Sequence, residues 1–374
     1  MGVKPWSAII FTNMVIWRSV AFDFSVFRTS LTQIKHTFHT NELNDVAWQH
    51  ATFRKDGPMK QHPCYAAIDV GSNAVRLLIA RIKEGEYPVA EKEILLRIPL
   101  RLGSDVFTLQ RLSDESARCL TKTMEAFSNL ISVFRPLSIK ACATSAMREA
   151  ENGLEVVEEI RRQSGINLEI IDGKKEAEFI FANRPDRLLP QGCASFLYID
   201  VGGGSTELNL YTDGELQENE SFRLGTVRLL EKAVNKSEWV RMHEWICEHV
   251  QNRQVVGIGH ARGAARVVNT GSGGNIGRLH RLAKRSEQQA MSRDQLKKVY
   301  RQLKVLDENE RVSQFKLKPS RADVIVPAAK IYLSAMKWAG IEKIYVPKFG
   351  LADGLILELH RQHQQGNPDH LLRN

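Results

Sequence analysis

Two segments of the chain carry the same short design. Tyr65-Ala-Ala-Ile-Asp69 is an apolar run ending in an aspartate, followed by Gly71-Ser72-Asn73 and a second apolar run from Val75 to Ile82. Phe196-Leu-Tyr-Ile-Asp200 is followed in the same way by Gly202-Gly203-Gly204-Ser205-Thr206 and a returning run from Glu207 to Tyr211. Each reads as a β-hairpin with a glycine-bearing turn. A pattern that returns once at this separation marks a duplicated domain and not a short-period solenoid.

An aspartate at the end of a buried strand, next to glycines, sets a carboxylate beside exposed backbone amides. Such amides bind phosphate oxygens, while the carboxylate holds a magnesium ion or its waters. Glycine lets the backbone approach the ligand closely. One such loop is ordinary chain reversal, but two with matching aspartates, and a third glycine run Gly271-Ser272-Gly273-Gly274 after the strand Val267–Thr270, describe a phosphate site.

Between and beyond the hairpins the sequence alternates strand and helix. A helix is expected over Ser113–Phe134 with Ser113 as N-cap, ending before Pro136. A strand over Ile139–Thr144, helical turns over Ala146–Ile160, a strand over Leu168–Ile171 and a helix from about Glu176 follow. Further on come a charged helix over Met291–Leu306, an apolar helix over Val324–Trp338, a strand over Lys343–Val346 and a last helix from about Ala352. Residues 1–60 hold three of the six tryptophans without a sustained period and are expected to lie outside the fold.

At 374 residues the chain is long enough for two domains with separate cores. The expected division is an extension over 1–60, a first domain over 61–190 with a closing helix 352–374 packing back on it, and a second domain over 191–351. No stretch reaches the roughly 20 apolar residues of a membrane helix, and the five scattered cysteines suit neither a disulfide framework nor a zinc ribbon. The expectation is a cytoplasmic protein, with no membrane partner. The net charge of +9 comes without a nucleic-acid signature, so a small polyanionic substrate, and no nucleic acid, is the partner it suggests. A homodimer is compatible with the sequence.

Five motifs in order resemble the Ppx/GppA phosphatases, a family of exopolyphosphatases and guanosine pentaphosphate phosphohydrolases. They are Ala67-Ile-Asp69-Val-Gly-Ser-Asn73, Ala143-Thr-Ser-Ala-Met-Arg148-Glu-Ala, Ile199-Asp200-Val-Gly-Gly-Gly-Ser-Thr-Glu207-Leu, Gly271-Ser-Gly-Gly-Asn-Ile276 and Arg321-Ala-Asp323-Val-Ile-Val-Pro327. The resemblance implies an α/β, actin-like (actin/Hsp70/sugar-kinase) fold of two duplicated domains with a cleft between them. It also implies Mg2+, release of terminal phosphate from polyphosphate or guanosine pentaphosphate, and hydrolysis in preference to the sugar-kinase chemistry of the same fold. By the same resemblance Glu176 is the catalytic carboxylate, although by itself a first-turn helix glutamate is ordinary. Arg148 is the phosphate-contacting arginine; Asp200, Asp69 and Glu207 are the acidic groups near the metal. Arg321 and Asp323 are read as an interdomain ion pair, and His280 and His360 as plain helix residues.

Two departures stand out. The family often has arginine where this chain has Glu178, and its closing glycine-leucine-arginine-glutamate-glycine turn is here Gly350-Leu-Ala352-Asp353-Gly354. Both motivate a rival expectation, a low-turnover sensor that binds polyphosphate or guanosine tetraphosphate. Glu178, and a chain that stops at Asn374, also lead to an expected preference for short substrates.

Overall fold

A computed structural model of the chain describes residues 62–366 apart from 86, 189–194, 252–267, 273 and 284–288. The expected extension over 1–60 lies outside the described residues. The first half runs β1 (Cys64–Val70), β2 (Val75–Lys83), β3 (Val89–Ile98), α1 (Leu102–Leu109), α2 (Asp114–Phe134), β4 (Ser138–Ala143), α3 (Ser145–Glu149), α4 (Gly153–Ser164), β5 (Leu168–Ile170) and α5 (Gly173–Phe181). The second runs β6 (Ser195–Val201), β7 (Thr206–Thr212), β8 (Glu215–Phe222), α6 (Thr226–Leu230), α7 (Lys236–Ile246), β9 (Val268–Ser272) and α8 (Gly274–Leu282). It continues with β10 (Met291–Ser292), α9 (Arg293–Lys304), α10 (Glu308–Phe315), α11 (Pro319–Ala322), α12 (Ile325–Trp338) and β11 (Lys343–Tyr345), and the chain closes with α13 (Leu351–Gln364).

The two sheets repeat one plan. The first has the order β3-β2-β1-β4-β5 and the second β8-β7-β6-β9-β11-β10. In each, the motif strand is central, its hairpin partner is antiparallel on one side, and a parallel strand follows on the other. The registers match as well: Asp69 lies opposite Arg76 and Asp200 opposite Glu207. Even the turns agree, with the Gly71 N–H bonded to the Ala74 carbonyl at 3.2 Å and the Gly202 N–H to the Ser205 carbonyl at 2.9 Å.

Burial explains the strand sequences. Every residue of β1 is buried, as a continuous apolar run in the middle of a sheet covered on both faces must be. The edge strand β3 shows no such run, because Glu91-Lys92-Glu93 occupy its centre and protect the open edge. That polar edge also hid β3 from apolar periodicity. Helix α2 starts at Ser113, whose hydroxyl accepts the Ser116 N–H at 3.2 Å, and acidic Asp114 and Glu115 fill its first turn. It stops at Arg135, in the left-handed region at φ 46°, just before Pro136.

Differences from the expected elements are local. The turns over Ala146–Ile160 are two helices, α3 and α4, split at Asn152, whose side chain is spent on both backbone groups of Leu112. Helix α5 starts at Gly173, three residues before Glu176, because Asp172 caps it by accepting the Lys175 N–H at 2.8 Å. Met291 and Ser292 form a short strand before α9, and Ser292 makes a capping box with Gln295. Helix α13 lies against β1, β2, β4 and α5, with Leu355, Ile356 and Leu359 in one buried cluster with Tyr65, Ala67 and Leu78. His360 on it is buried, its Nδ1 3.3 Å from the Tyr65 hydroxyl, and His280 Nε2 lies 2.7 Å from the Gln289 carbonyl.

Candidate active site

The glycine loops of the two hairpins pack directly on each other. A Cβ on Gly203 would fall 3.0 Å from Ser72 Cβ and 3.1 Å from the Asn73 nitrogen. On Gly204 it would fall 2.4 Å from both the Phe107 ring and Ser145 Oγ, so only glycine permits this approach. Ser72 is buried, with its Oγ 2.8 Å from Ser145 Oγ, which links the first loop to the helix that carries Arg148. The Asn73 carbonyl accepts the Arg101 N–H at 3.2 Å, and its side-chain Oδ1 is buried without a hydrogen-bond partner among the described residues. Thr206 takes no part in the loop surface: it is fully buried in β7 and its hydroxyl donates to the Leu224 carbonyl. Of the third glycine run, Gly271 and Ser272 end β9, Gly274 opens α8 and Gly273 lies outside the described residues.

Next to these loops four carboxylates share one field. Glu176 is raised well above the usual carboxylate range, first by burial and then by Glu207, Asp200 and Asp69, with Arg148 opposing. Glu207 is pushed up to about 7 by burial and Asp200, while hydrogen bonds from Ser205 and Ser221 and the charge of Arg148 pull it down. Its Oε1 accepts from both hydroxyls, that of Ser221 at 3.1 Å. Arg148 Nη1 donates to the Ile171 carbonyl at 2.7 Å, which ties it to the start of α5.

The sequence reading missed Arg76. It forms an ion pair with buried Asp69, and its pKa is raised by Asp69 first and by Asp200 and Glu176 as well. In the duplicated plan Arg76 stands where Glu207 stands in the other half, so a residue-by-residue comparison of the two hairpins contains the signal. Across from Arg76 on β3 lies Arg97, and burial together with Arg76, Arg321 and Arg101 pushes its pKa down to about 10. Of the salt bridge expected between the halves at Arg321 and Asp323, the Asp323 side forms and the Arg321 side does not. Asp323 is held by Arg101, whereas Arg321 donates to the Gly274 carbonyl at 3.1 Å. Four arginines thus crowd one flank of the carboxylates, an arrangement that favours a polyanion.

The two departures sit on α5 and at the start of α13. Glu178 is two residues from Glu176, about 200° around the helix, and it is exposed, its field acting on Tyr211. Asp353 accepts the Gly350 N–H at 2.9 Å and pairs with Lys92 at 2.6 Å.

The raised carboxylates have a consequence for stability. A carboxyl with a folded pKa above its unfolded value binds its proton more tightly when folded, so its contribution is complete below the unfolded value, 4.5 for glutamate, and is lost as pH rises through the folded one. In chelator, Tm is therefore expected to fall between about pH 5 and about pH 8 more steeply for the wild type than for Glu207→Gln. Parallel pH profiles of Tm for the two proteins would contradict the shift.

Two sheets of one plan, meeting at their glycine loops, define an actin-like fold of two duplicated halves. A model of the Ppx/GppA phosphatase family matches residues 78–363, and the chain belongs to that family. It is 23% identical over 299 residues to Exopolyphosphatase 1 of Mycobacterium leprae, covering 78% of this chain and 87% of that protein. The crystal structure of the Aquifex aeolicus family member is 25% identical, covers 80% of this chain and 98% of its own, and gives a TM-score of 0.63. An exopolyphosphatase from Cytophaga hutchinsonii, at 22% identity with a TM-score of 0.65 over 81% of this chain and 98% of its own, shares the fold. No helix among the described residues is long and apolar enough to cross a membrane.

Proposed function

We propose that the protein is a phosphoanhydride hydrolase of the exopolyphosphatase type, which releases terminal orthophosphate from inorganic polyphosphate. The observation that carries this reading is the placement of Glu176 beside two glycine loops and Arg148, where burial and three neighbouring carboxylates raise it well above the usual carboxylate range. A carboxyl raised in this direction is a stronger base toward an attacking water than an ordinary glutamate.

In this reading the loops around Gly71, Ser72 and Asn73 and around Gly202, Gly203, Gly204 and Ser205 hold the terminal phosphates through backbone groups. Glu176 orients a water and takes its proton as the water oxygen bonds to the terminal phosphorus. The bond from phosphorus to the bridging oxygen breaks, and the electron pair leaves with the shortened chain. Arg148 offsets charge on the transferred phosphoryl oxygens. The arginine flank of Arg76, Arg97, Arg101 and Arg321 grips the rest of the chain.

The donor chemistry suits Mg2+. Burial and the charge of Asp200 raise Glu207 to about 7, a cost that a dication relieves, and the buried Asn73 Oδ1 offers an acceptor to the ion's waters. Among the described residues no three His, Cys, Asp or Glu groups form a protein-only cage. Mg2+ commonly uses one or two carboxylates, water and substrate phosphates instead. Asp200 and Glu207 are the residues that would hold it, since Asp69 is paired with Arg76. When bound, the ion neutralises charge on the terminal phosphates. Asp200→Asn is expected to raise the Mg2+ needed for half-maximal activity about tenfold and to reduce the Mg2+-induced rise in Tm. Unchanged titrations by both readouts would place the ion elsewhere.

The terminal phosphoanhydride of guanosine pentaphosphate presents the same reacting group. A flank of arginines favours a linear polyanion over a nucleoside, so polyphosphate is expected to show the higher kcat/KM when both are assayed side by side; the reverse order would assign the nucleotide. Glu178 is exposed and Asp353 pairs with Lys92, so neither departure removes one of the four carboxylates, and hydrolysis is preferred to the low-turnover sensor.

A further inference from the structure

The carboxylate centre has two flanks, and the duplication relates them. On the first, Arg76 of β2 lies opposite Arg97 of β3; on the second, Glu207 of β7 lies opposite Ser221 of β8. The first flank is bridged to the second half of the chain by Arg97–Ser320 at 2.9 Å and by Arg101–Asp323. The second flank contains a cavity of about 440 Å³ lined by Arg148, Glu149, Gly173, Ser205, Ser221 and Arg223. None of the first flank's arginines lines it.

The cavity has the polarity of an oxyanion site. Arg148 uses Nη1 on the Ile171 carbonyl and Arg223 uses Nη2 on Glu149. A guanidinium has five N–H donors, so most donors of both remain for a ligand. The acid of the wall is neutralised: Glu149 holds Arg223 with one oxygen and buried Arg228 with the other, at 2.6 Å. The Ser205 and Ser221 hydroxyls already donate to Glu207, so each turns acceptor lone pairs outward, matching the P–OH of monohydrogen phosphate. Arg223 is 65% exposed at the rim, where a ligand exchanges with solvent.

A long polyphosphate chain needs many cations, and those stand on the first flank. The second, entered where Arg148 and Ser205 meet the terminal phosphate, has donors and space for the tetrahedral anion released from the chain. We propose that this cavity is an orthophosphate site, filled after cleavage from the Glu207 side and emptied past Arg223, so that product leaves on the flank opposite the chain. This rests on the hydrolase reading, and Arg223 acts in release without touching the reacting atoms.

Isothermal titration calorimetry with inorganic phosphate on the full chain, at constant Mg2+, tests it without turnover. Arg223→Ala is expected to weaken phosphate binding about tenfold and Arg223→Lys by no more than about threefold. The KM for polyphosphate should stay within about twofold in both. Arg223→Gln, which keeps the stem packing, replaces the alanine variant should the latter melt early. Unchanged phosphate affinity in the variant, no binding by the wild type at about 10 mM, or a KM for polyphosphate that rises in parallel would each overturn the proposal. A wild type that binds phosphate in this Arg223-dependent way but cleaves no polyphosphate would overturn the hydrolase reading and keep the anion site.

Discussion

Glu176→Gln is expected to lower kcat on polyphosphate by roughly 10² or more while leaving substrate binding within a few-fold of wild type. The amide keeps the shape and the packing at the start of α5 but cannot accept the proton of the attacking water. It also removes one of four mutually repelling carboxylates, so the metal-free variant should be no less stable than the wild type at neutral pH. Loss of activity with retained or raised Tm separates a chemical role from a structural one. Turnover within twofold of wild type would remove Glu176 from the mechanism, and activity lost together with Tm would make it a packing residue.

The second large effect is expected at Gly354. An alanine in a helix interior normally gains about 1 kcal/mol over glycine, so propensity alone predicts stabilisation. Here a Cβ would sit 1.8 Å from the carbonyl oxygen of Phe179 and 3.0 Å from Asn183 Nδ2. Phe179 belongs to α5, so α13 and the helix carrying Glu176 must separate to admit the methyl group. Overpacking of this kind costs about 1–3 kcal/mol or more, which outweighs the propensity gain and lowers Tm by several degrees. The shift of α5 should also lower kcat. A Gly354→Ala protein that melts at or above the wild-type temperature would show that α5 and α13 admit the methyl group without separating.

How much of this was legible in the sequence depended on whether the signal was local. The hairpins ending in Asp69 and Asp200 were, because an apolar strand, an acid and a glycine turn are contiguous. Asp172 was an available cap for α5, yet the helix was read from Glu176 because Gly173 looked like the end of a turn. Glu176 itself stood out only through family resemblance, since nothing local distinguishes it from a solvated helix residue; its character comes from Glu207, Asp200 and Asp69, brought near by the fold. Arg76 was legible in principle, as the counterpart of Glu207, but a change from acid to base between the halves conceals the match. Arg97, Arg223 and Arg228 were not, for their partners Ser320 and Glu149 lie far along the chain. The weight placed on Glu178 was a one-dimensional inference: two positions along a helix is the opposite face.

Hydrolysis as proposed means that water removes the terminal phosphate from a polyphosphate chain at this site. It is tested most directly by incubating the full chain with polyphosphate and Mg2+ in 18O-labelled water and analysing released orthophosphate by mass spectrometry. Orthophosphate release is expected, with one 18O incorporated per molecule released, and is expected to be abolished in Glu176→Gln. Absence of orthophosphate release, or release without the label, would contradict it.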